Sequence, residues 1–172
     1  MYFLEKNPGL TQYPLLKKMI FKISLKKYKG IWFYGFSGSG KTHISKILKK
    51  KIKSSVLVDG DNVRKLISND LGYSKAHRKI QINRIFGISK LIIDSDKFPI
   101  ISSVFMNKKV NDLCKKNKIM CLMVVRDDFV DIKKNHKTYK NKSNVVGKDI
   151  FFDNFKKLKL LNDNTPITFK IK

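Results

Sequence analysis

Ile31-Trp32-Phe33-Tyr34-Gly35-Phe36-Ser37-Gly38-Ser39-Gly40-Lys41-Thr42 is the stretch on which the fold turns. Four apolar, strand-forming residues run into a glycine, and beyond Lys41 the apolar positions Ile44, Ile47, Leu48 and Ile52 recur at helical spacing. Between strand and helix, Gly35 to Thr42 reads GFSGSGKT and satisfies G-x-x-x-x-G-K-[ST] at every fixed position. Glycines let the backbone wrap an anion closely enough for successive N–H groups to point at phosphate oxygens, and the start of the helix adds partial positive charge. Gly35, Ser37, Gly38, Ser39, Gly40, Lys41, Thr42 and His43 are therefore expected to cradle the phosphates of ATP. Lys41 supplies a point charge to the β and γ phosphates, and the Thr42 hydroxyl is expected to hold Mg²⁺.

Outward from this loop, strands are expected at Ser55 to Asp59, Pro99 to Val104 and Ile119 to Val125. Helices are expected around Val63, Leu66 and Ile67, from about Ala76 to Asp94 with Ile82, Ile85, Phe86 and Ile92 inward, and from Lys108 to Lys116. Such alternation argues for a parallel sheet covered by helices on both faces, an α/β fold. Residues 1–29 are lysine-rich without a clear period and are expected to form an N-terminal extension to a domain spanning 30–172. Residues 126–144, with KKNHKTYKNK at their centre, are too hydrophilic for core and long for a plain connection, as a lid would be. Near the end, Ile167, Phe169 and Ile171 alternate as an edge strand does.

A chain of 172 residues has room for one compact domain. No apolar run approaches the length of a membrane span, and Met1 to Leu10 lack the pattern of an export signal, so the cytoplasm is the expected location. The 38 Lys and Arg against 13 Asp and Glu leave a net charge of +25, which favours anionic partners. Its lysines are scattered through every segment, whereas three of the four arginines, Arg64, Arg78 and Arg84, fall in one window. Specific anion recognition is expected there, because a guanidinium grips phosphate bidentately. A basic nucleic-acid-binding protein is the reading from another class, but no RNP, KH or helix-turn-helix pattern supports it. Cys114 and Cys121, like His43, His77 and His136, lack metal-ligand spacing.

The phosphate loop leaves open whether the phosphoryl group goes to water, to a switch or to a small acceptor, and the short chain favours the last. Val58-Asp59-Gly60-Asp61-Asn62-Val63-Arg64 places two acids at the end of the second strand, where a parallel sheet presents its ligand crevice. Asp61 is expected to orient and deprotonate the acceptor hydroxyl, Asp59 to bind Mg²⁺ or its water shell, and Arg64 to meet an acceptor phosphate. The structural alternative makes Asp61 an N-cap.

These strings, GFSGSGKT, then VDGDNVR, then DLGYS with Arg78 and Arg84 following, resemble the adenylylsulfate kinases, whose pattern is GLSGSGKTT, LDGDNVR and DLGFS with DRxENIRR. Asn144 to Ile150 is similar to the family's NVVGVDI, and Lys134-Asn135-His136-Lys137 falls where its lid carries Arg-Asp-Pro-Lys. The resemblance spans roughly 30–163. It implies a P-loop nucleotide-kinase-like three-layer fold with a central parallel sheet, ATP and Mg²⁺, phosphorylation of a ribose 3′-hydroxyl on a nucleotide acceptor, and a homodimer. By the same resemblance Arg64, Tyr73, Arg78 and Lys137 would bind the acceptor, Tyr73 replacing a stacking phenylalanine. Arg78, Gln81 and Arg84 share one helix face, so Gln81 joins them. His77, Ile80, Gln81 and Asn83 depart from DRxENIRR, and Ile101-Ser102-Ser103-Val104-Phe105 replaces the family's I-S-P-[FY]-R. With the donor half intact and the acceptor half altered, Ser102 and Ser103 are expected in a reshaped acceptor pocket. The serine-rich version resembles a branch associated with surface-polysaccharide pathways, which implies cytidine diphosphoramidate as acceptor. Adenylylsulfate is the alternative.

Overall fold

The computed structural model describes residues 19–24, 26–151, 157–160 and 167–171. Its main sheet has five strands in the order β3-β4-β2-β5-β6, all paired parallel. The strands are β2 (Gly30–Tyr34), β3 (Ser55–Asp59), β4 (Phe98–Ser103), β5 (Ile119–Arg126) and β6 (Lys157–Leu160). Helix α1 (Lys41–Lys49) follows β2, α2 (Gly60–Leu66) and α3 (Lys75–Asp94) lie between β3 and β4, and α4 (Lys108–Lys116) lies between β4 and β5.

Every residue of β2 is buried, as the central strand of a sheet covered on both faces must be. Alternate side chains split two cores: Ile31 and Phe33 join Ile44, Leu48, Ile100 and Leu122 beneath α1. Trp32 and Tyr34 join Ile82, Ile85, Ile101, Val110 and Met123 beneath α3 and α4. The fold is thus α/β with helices, sheet and helices in three layers. Since β4 lies on one side of β2 and β5 on the other, the chain reverses its winding direction at β2, and a crevice opens at the strands' carboxyl ends.

Some expectations need correcting. Met19–Ile23, inside the expected N-terminal extension, forms β1, which pairs parallel with β7 (Ile167–Ile171) in a separate two-stranded sheet. The alternating segment near the end is therefore a strand, but β6 takes the edge beside β5 instead. Leu66 and Ile67 face solvent, 75% and 54% exposed, because α2 is a short helix that buries only Val63. Among the described residues no helix is long and apolar enough to cross a membrane. Cys114 is buried, Cys121 half-buried, and neither is in a disulfide.

Candidate active site

At the carboxyl end of β2 the loop Gly35 to Thr42 bends through left-handed backbone at Gly38 (φ 81°) and Gly40 (φ 87°). Gly35, at φ 141°, passes so close to β5 that a Cβ there would stand 2.5 Å from the Val124 carbonyl oxygen. Side chains are disfavoured in these turns, as a loop that wraps backbone closely around an anion requires. Lys41 is buried, with Nζ donating to the Phe36 carbonyl at 2.6 Å and to Ser39 Oγ at 3.4 Å. Burial pulls its ammonium down to about 8, and the charges of Asp61 and then Asp59 oppose the fall.

Asp59, at the end of β3, is the N-cap of α2: Oδ1 accepts from the Asp61 and Asn62 N–H groups at 3.0 and 3.4 Å. Its Oδ2 accepts from Thr42 Oγ1 at 3.0 Å and Ser102 Oγ at 2.7 Å. Partial burial pushes this carboxyl up, but the Ser102 and Thr42 hydroxyls and the two backbone donors outweigh it and hold the group below its ordinary value. The capping role weighed for Asp61 thus falls to Asp59. Asp61 stands in the first turn of α2, exposed, with no hydrogen-bond partner for its carboxylate among the described residues. Gly60 is not needed for a tight turn, since its φ is not positive. A Cβ there would lie 3.0 Å from the Ser102 carbonyl oxygen, so glycine lets α2 start against β4.

Four acceptor-side candidates, Arg64, Tyr73, Arg78 and Gln81, share a cavity wall with Asp61. Arg64 donates to the Leu71 and Gly72 carbonyls at 3.1 and 2.7 Å, and its guanidinium lies 4.7 Å from the Tyr73 ring centroid. Arg78 lies 5.6 Å from the same ring and donates to the Tyr73 carbonyl at 3.0 Å and the Asn144 carbonyl at 2.7 Å. Burial and then Arg64 pull the Arg78 guanidinium down, while Tyr73 and Asp61 oppose. The Asp61 carboxylate therefore acts electrostatically on both Lys41 and Arg78. Gln81 is buried, donating through Nε2 to the Gly60 carbonyl at 3.1 Å while Oε1 has no partner among the described residues.

All of these line one cavity of about 990 Å³, bounded also by Ser37, Gly38, Gly40, Thr42, His43, Ser102, Ser103, His136 and Asn144 to Val146. Its walls carry Lys41, Arg64, Lys65, Arg78 and Lys142 against Asp59 and Asp61, a cationic excess suited to an anion at each end.

The segment expected as a lid covers the loop. Helices α5 (Phe129–Asn135) and α6 (Lys137–Asn141) sit against it: Phe36 stacks on Phe129 at 4.5 Å, and the Tyr139 hydroxyl donates to the Ser37 carbonyl at 3.1 Å. A Cβ on Gly147 would lie 2.6 Å from the Phe36 ring.

Several candidates are placed differently from the expectation. Arg84 turns from the cavity and pairs with both carboxylate oxygens of Asp70, the nearer contact at 2.5 Å. Ser103 reaches the wall, yet its hydroxyl accepts from Trp32 Nε1 at 2.8 Å and donates to the Phe105 carbonyl at 2.9 Å, so it serves the core. Lys137 is exposed outside the lining, and its neighbour His136 occupies the wall. Gly35 and Ser39 shape the loop from behind the cavity surface rather than lining it. His77, where DRxENIRR has aspartate, accepts from the Gly72 N–H through Nδ1 at 2.8 Å and fixes the turn carrying Tyr73. Sequence reasoning missed His136, whose one signal was its replacement of proline in the Arg-Asp-Pro-Lys stretch.

Thr42 and Asp59 present hard oxygen donors beside the phosphate loop, a donor set that fits Mg²⁺, which also takes phosphate oxygens and water.

Comparison with known proteins agrees with this geometry. The family model described as adenylylsulphate kinase matches residues 27–139. The adenylyl-sulfate kinase of Bacteroides fragilis is 34% identical over 138 residues, covering 75% of this chain and 64% of the relative. That of Bacteroides thetaiotaomicron is 31% identical over 129 residues, covering 70% and 61%. The chain thus spans somewhat under two thirds of the length of these relatives. The Mycobacterium tuberculosis APS kinase CysC, solved in complex with AMPPNP and APS, shares the fold with a TM-score of 0.67 and 21% identity, covering 77% of this chain and 88% of that one. On the phosphate loop, the VDGDNVR turn and the match over 27–139, this chain belongs to the adenylylsulfate kinase family.

Proposed function

We propose that the protein is an ATP-dependent kinase that transfers the γ-phosphoryl group to the 3′-hydroxyl of adenylylsulfate. The observation that carries this is the station of Asp61 in one cavity wall with the phosphate-loop Lys41 and the acceptor-side Arg78, its carboxylate without a hydrogen-bond partner among the described residues. The loop N–H groups and Lys41 hold the triphosphate and offset the charge that develops on it. Arg64, Tyr73 and Arg78 hold the acceptor with its ribose toward Asp61. Asp61 takes the proton of the 3′-hydroxyl as its oxygen bonds to the γ-phosphorus, the bond to the bridging oxygen breaks, and ADP leaves. Thr42 and Asp59 would hold Mg²⁺, which neutralises phosphate charge when bound.

The curated relatives favour adenylylsulfate over cytidine diphosphoramidate, and nothing beyond the altered acceptor residues supports a polysaccharide pathway. Those residues keep the second acceptor as the competing substrate, because Gln81 Oε1 awaits a donor that a different tail or base can supply. An ATP requirement places the enzyme where cells keep ATP, in the cytoplasm. A homodimer remains the family expectation.

The test is incubation with ATP, Mg²⁺ and each acceptor in turn, with mass spectrometry and positional assignment of the new phosphate. A 3′-phosphorylated adenylylsulfate is expected. Transfer to cytidine diphosphoramidate alone would reverse the order of the two, and no transfer to either nucleotide would end the reading.

A further inference from the structure

His136 lines the cavity, yet none of the roles above uses it. Its ring lies on the phosphate loop: Cδ2 is 3.2 Å and Nε2 3.7 Å from the point that a Cβ on Gly38 would occupy. Nδ1 accepts from the Thr138 N–H at 3.3 Å and so caps α6. The His136 N–H donates to the Ile132 carbonyl at 2.8 Å, and the ring meets Tyr139 edge-on at 5.9 Å, so its orientation is fixed. A neutral imidazole that accepts at Nδ1 carries its proton on Nε2. That N–H has no hydrogen-bond partner among the described residues, and the ring stands beside Gly38 in the wall of the cavity that Gly40, Lys41 and Thr42 also line.

We propose that His136 is a phosphate-binding residue of the donor site, its Nε2–H donating to the terminal phosphates of the nucleotide held by Gly35 to Thr42. This rests on the reading of that loop as the ATP cradle. The ligand then fastens the covering segment to the loop by a contact that the Arg-Asp-Pro-Lys pattern does not offer, since proline has no side-chain donor.

Two amide substitutions separate this role from the cap. In His136→Asn a side-chain acceptor remains at the level of Nδ1 and can cap α6, but the donor at the level of Nε2 is gone. In His136→Gln an amide N–H reaches the level of Nε2, and the cap is lost. Binding of AMPPNP and of AMP to the full chain, with Mg²⁺, is measured by calorimetry, alongside thermal melting. His136→Asn is expected to weaken AMPPNP about tenfold or more, as loss of a hydrogen bond to a charged group does, with AMP binding and melting unchanged. His136→Gln is expected to stay within about threefold of wild type for AMPPNP, by the same free-energy scale, while melting lower. Wild-type AMPPNP affinity in His136→Asn, an equal or larger loss in His136→Gln, or an equal loss for AMP would each overturn the proposal. Lys41→Ala runs in parallel. If it weakens AMPPNP while His136→Asn does not, only the histidine assignment fails. If wild type binds no AMPPNP, or Lys41→Ala binds it equally well, the cradle reading fails and this proposal with it.

Discussion

Binding of ATP should draw a proton from solvent at alkaline pH, and Lys41 should be the group that takes it. Burial lowers this ammonium from 10.5 to about 8 in the folded chain, against the pull of Asp61 and Asp59. The folded state therefore binds fewer protons than the unfolded state between those values, so this group's contribution to stability rises with pH across that window. At neutral pH, keeping Lys41 charged costs the fold about 3 kcal/mol, at 1.36 kcal/mol per pH unit. Phosphate oxygens beside Nζ reverse the balance, and a return to the ordinary value on binding sets the arithmetic. Uptake is then about half a proton per ATP at pH 8 and about 0.9 at pH 9, against about 0.1 at pH 7. The apparent affinity correspondingly falls about tenfold between pH 7 and 9. Calorimetric titration in two buffers of different ionisation enthalpy reads the uptake directly, and above pH 8 the phosphates themselves are fully ionised. Lys41→Met should abolish both the uptake and the pH dependence. An uptake that persists in Lys41→Met, or affinity that is flat from pH 7 to 9 in wild type, would refute the reasoning.

Asp61→Asn should retain ATP binding while kcat falls by about two to four orders of magnitude, the usual worth of a positioned base, in a steady-state assay with saturating acceptor. Ser103→Ala removes the buried acceptor of Trp32 Nε1 at 2.8 Å, and should destabilise the fold by about 1–3 kcal/mol, seen as a lowered melting temperature. Arg78→Ala should raise the KM for the acceptor by about tenfold or more with the KM for ATP little changed, whereas Arg84→Ala, which loses its Asp70 pair and a 3.5 Å bond to the Ile67 carbonyl, should leave both near wild type. Comparable effects from the two substitutions would restore Arg84 to the acceptor site.

Local signals carried the donor side. GFSGSGKT reads as a phosphate loop because strand, glycines, lysine and helix are contiguous, and the left-handed backbone at Gly38 and Gly40 falls on residues that adopt it freely. The α/β alternation was equally legible, since a fully buried parallel strand shows as an apolar run such as Ile31 to Tyr34. On the acceptor side the same periodicity misled: Arg78, Gln81 and Arg84 share a helix face, but Asp70 draws Arg84 outward. Of two acids a residue apart, a capping site and a free carboxylate are interchangeable on paper. Backbone geometry at the end of β3 gives the cap to Asp59.

The amino-acid order by itself thus determined the parallel sheet, the phosphate cradle and the family, each encoded within a short window of chain. Only the tertiary structure decided that Ser103 serves Trp32, that β7 pairs with β1 rather than extending the main sheet, and that His136 lies on Gly38. Those pairs are far apart in sequence, and their meeting depends on how whole elements pack, a property that no local propensity or period records.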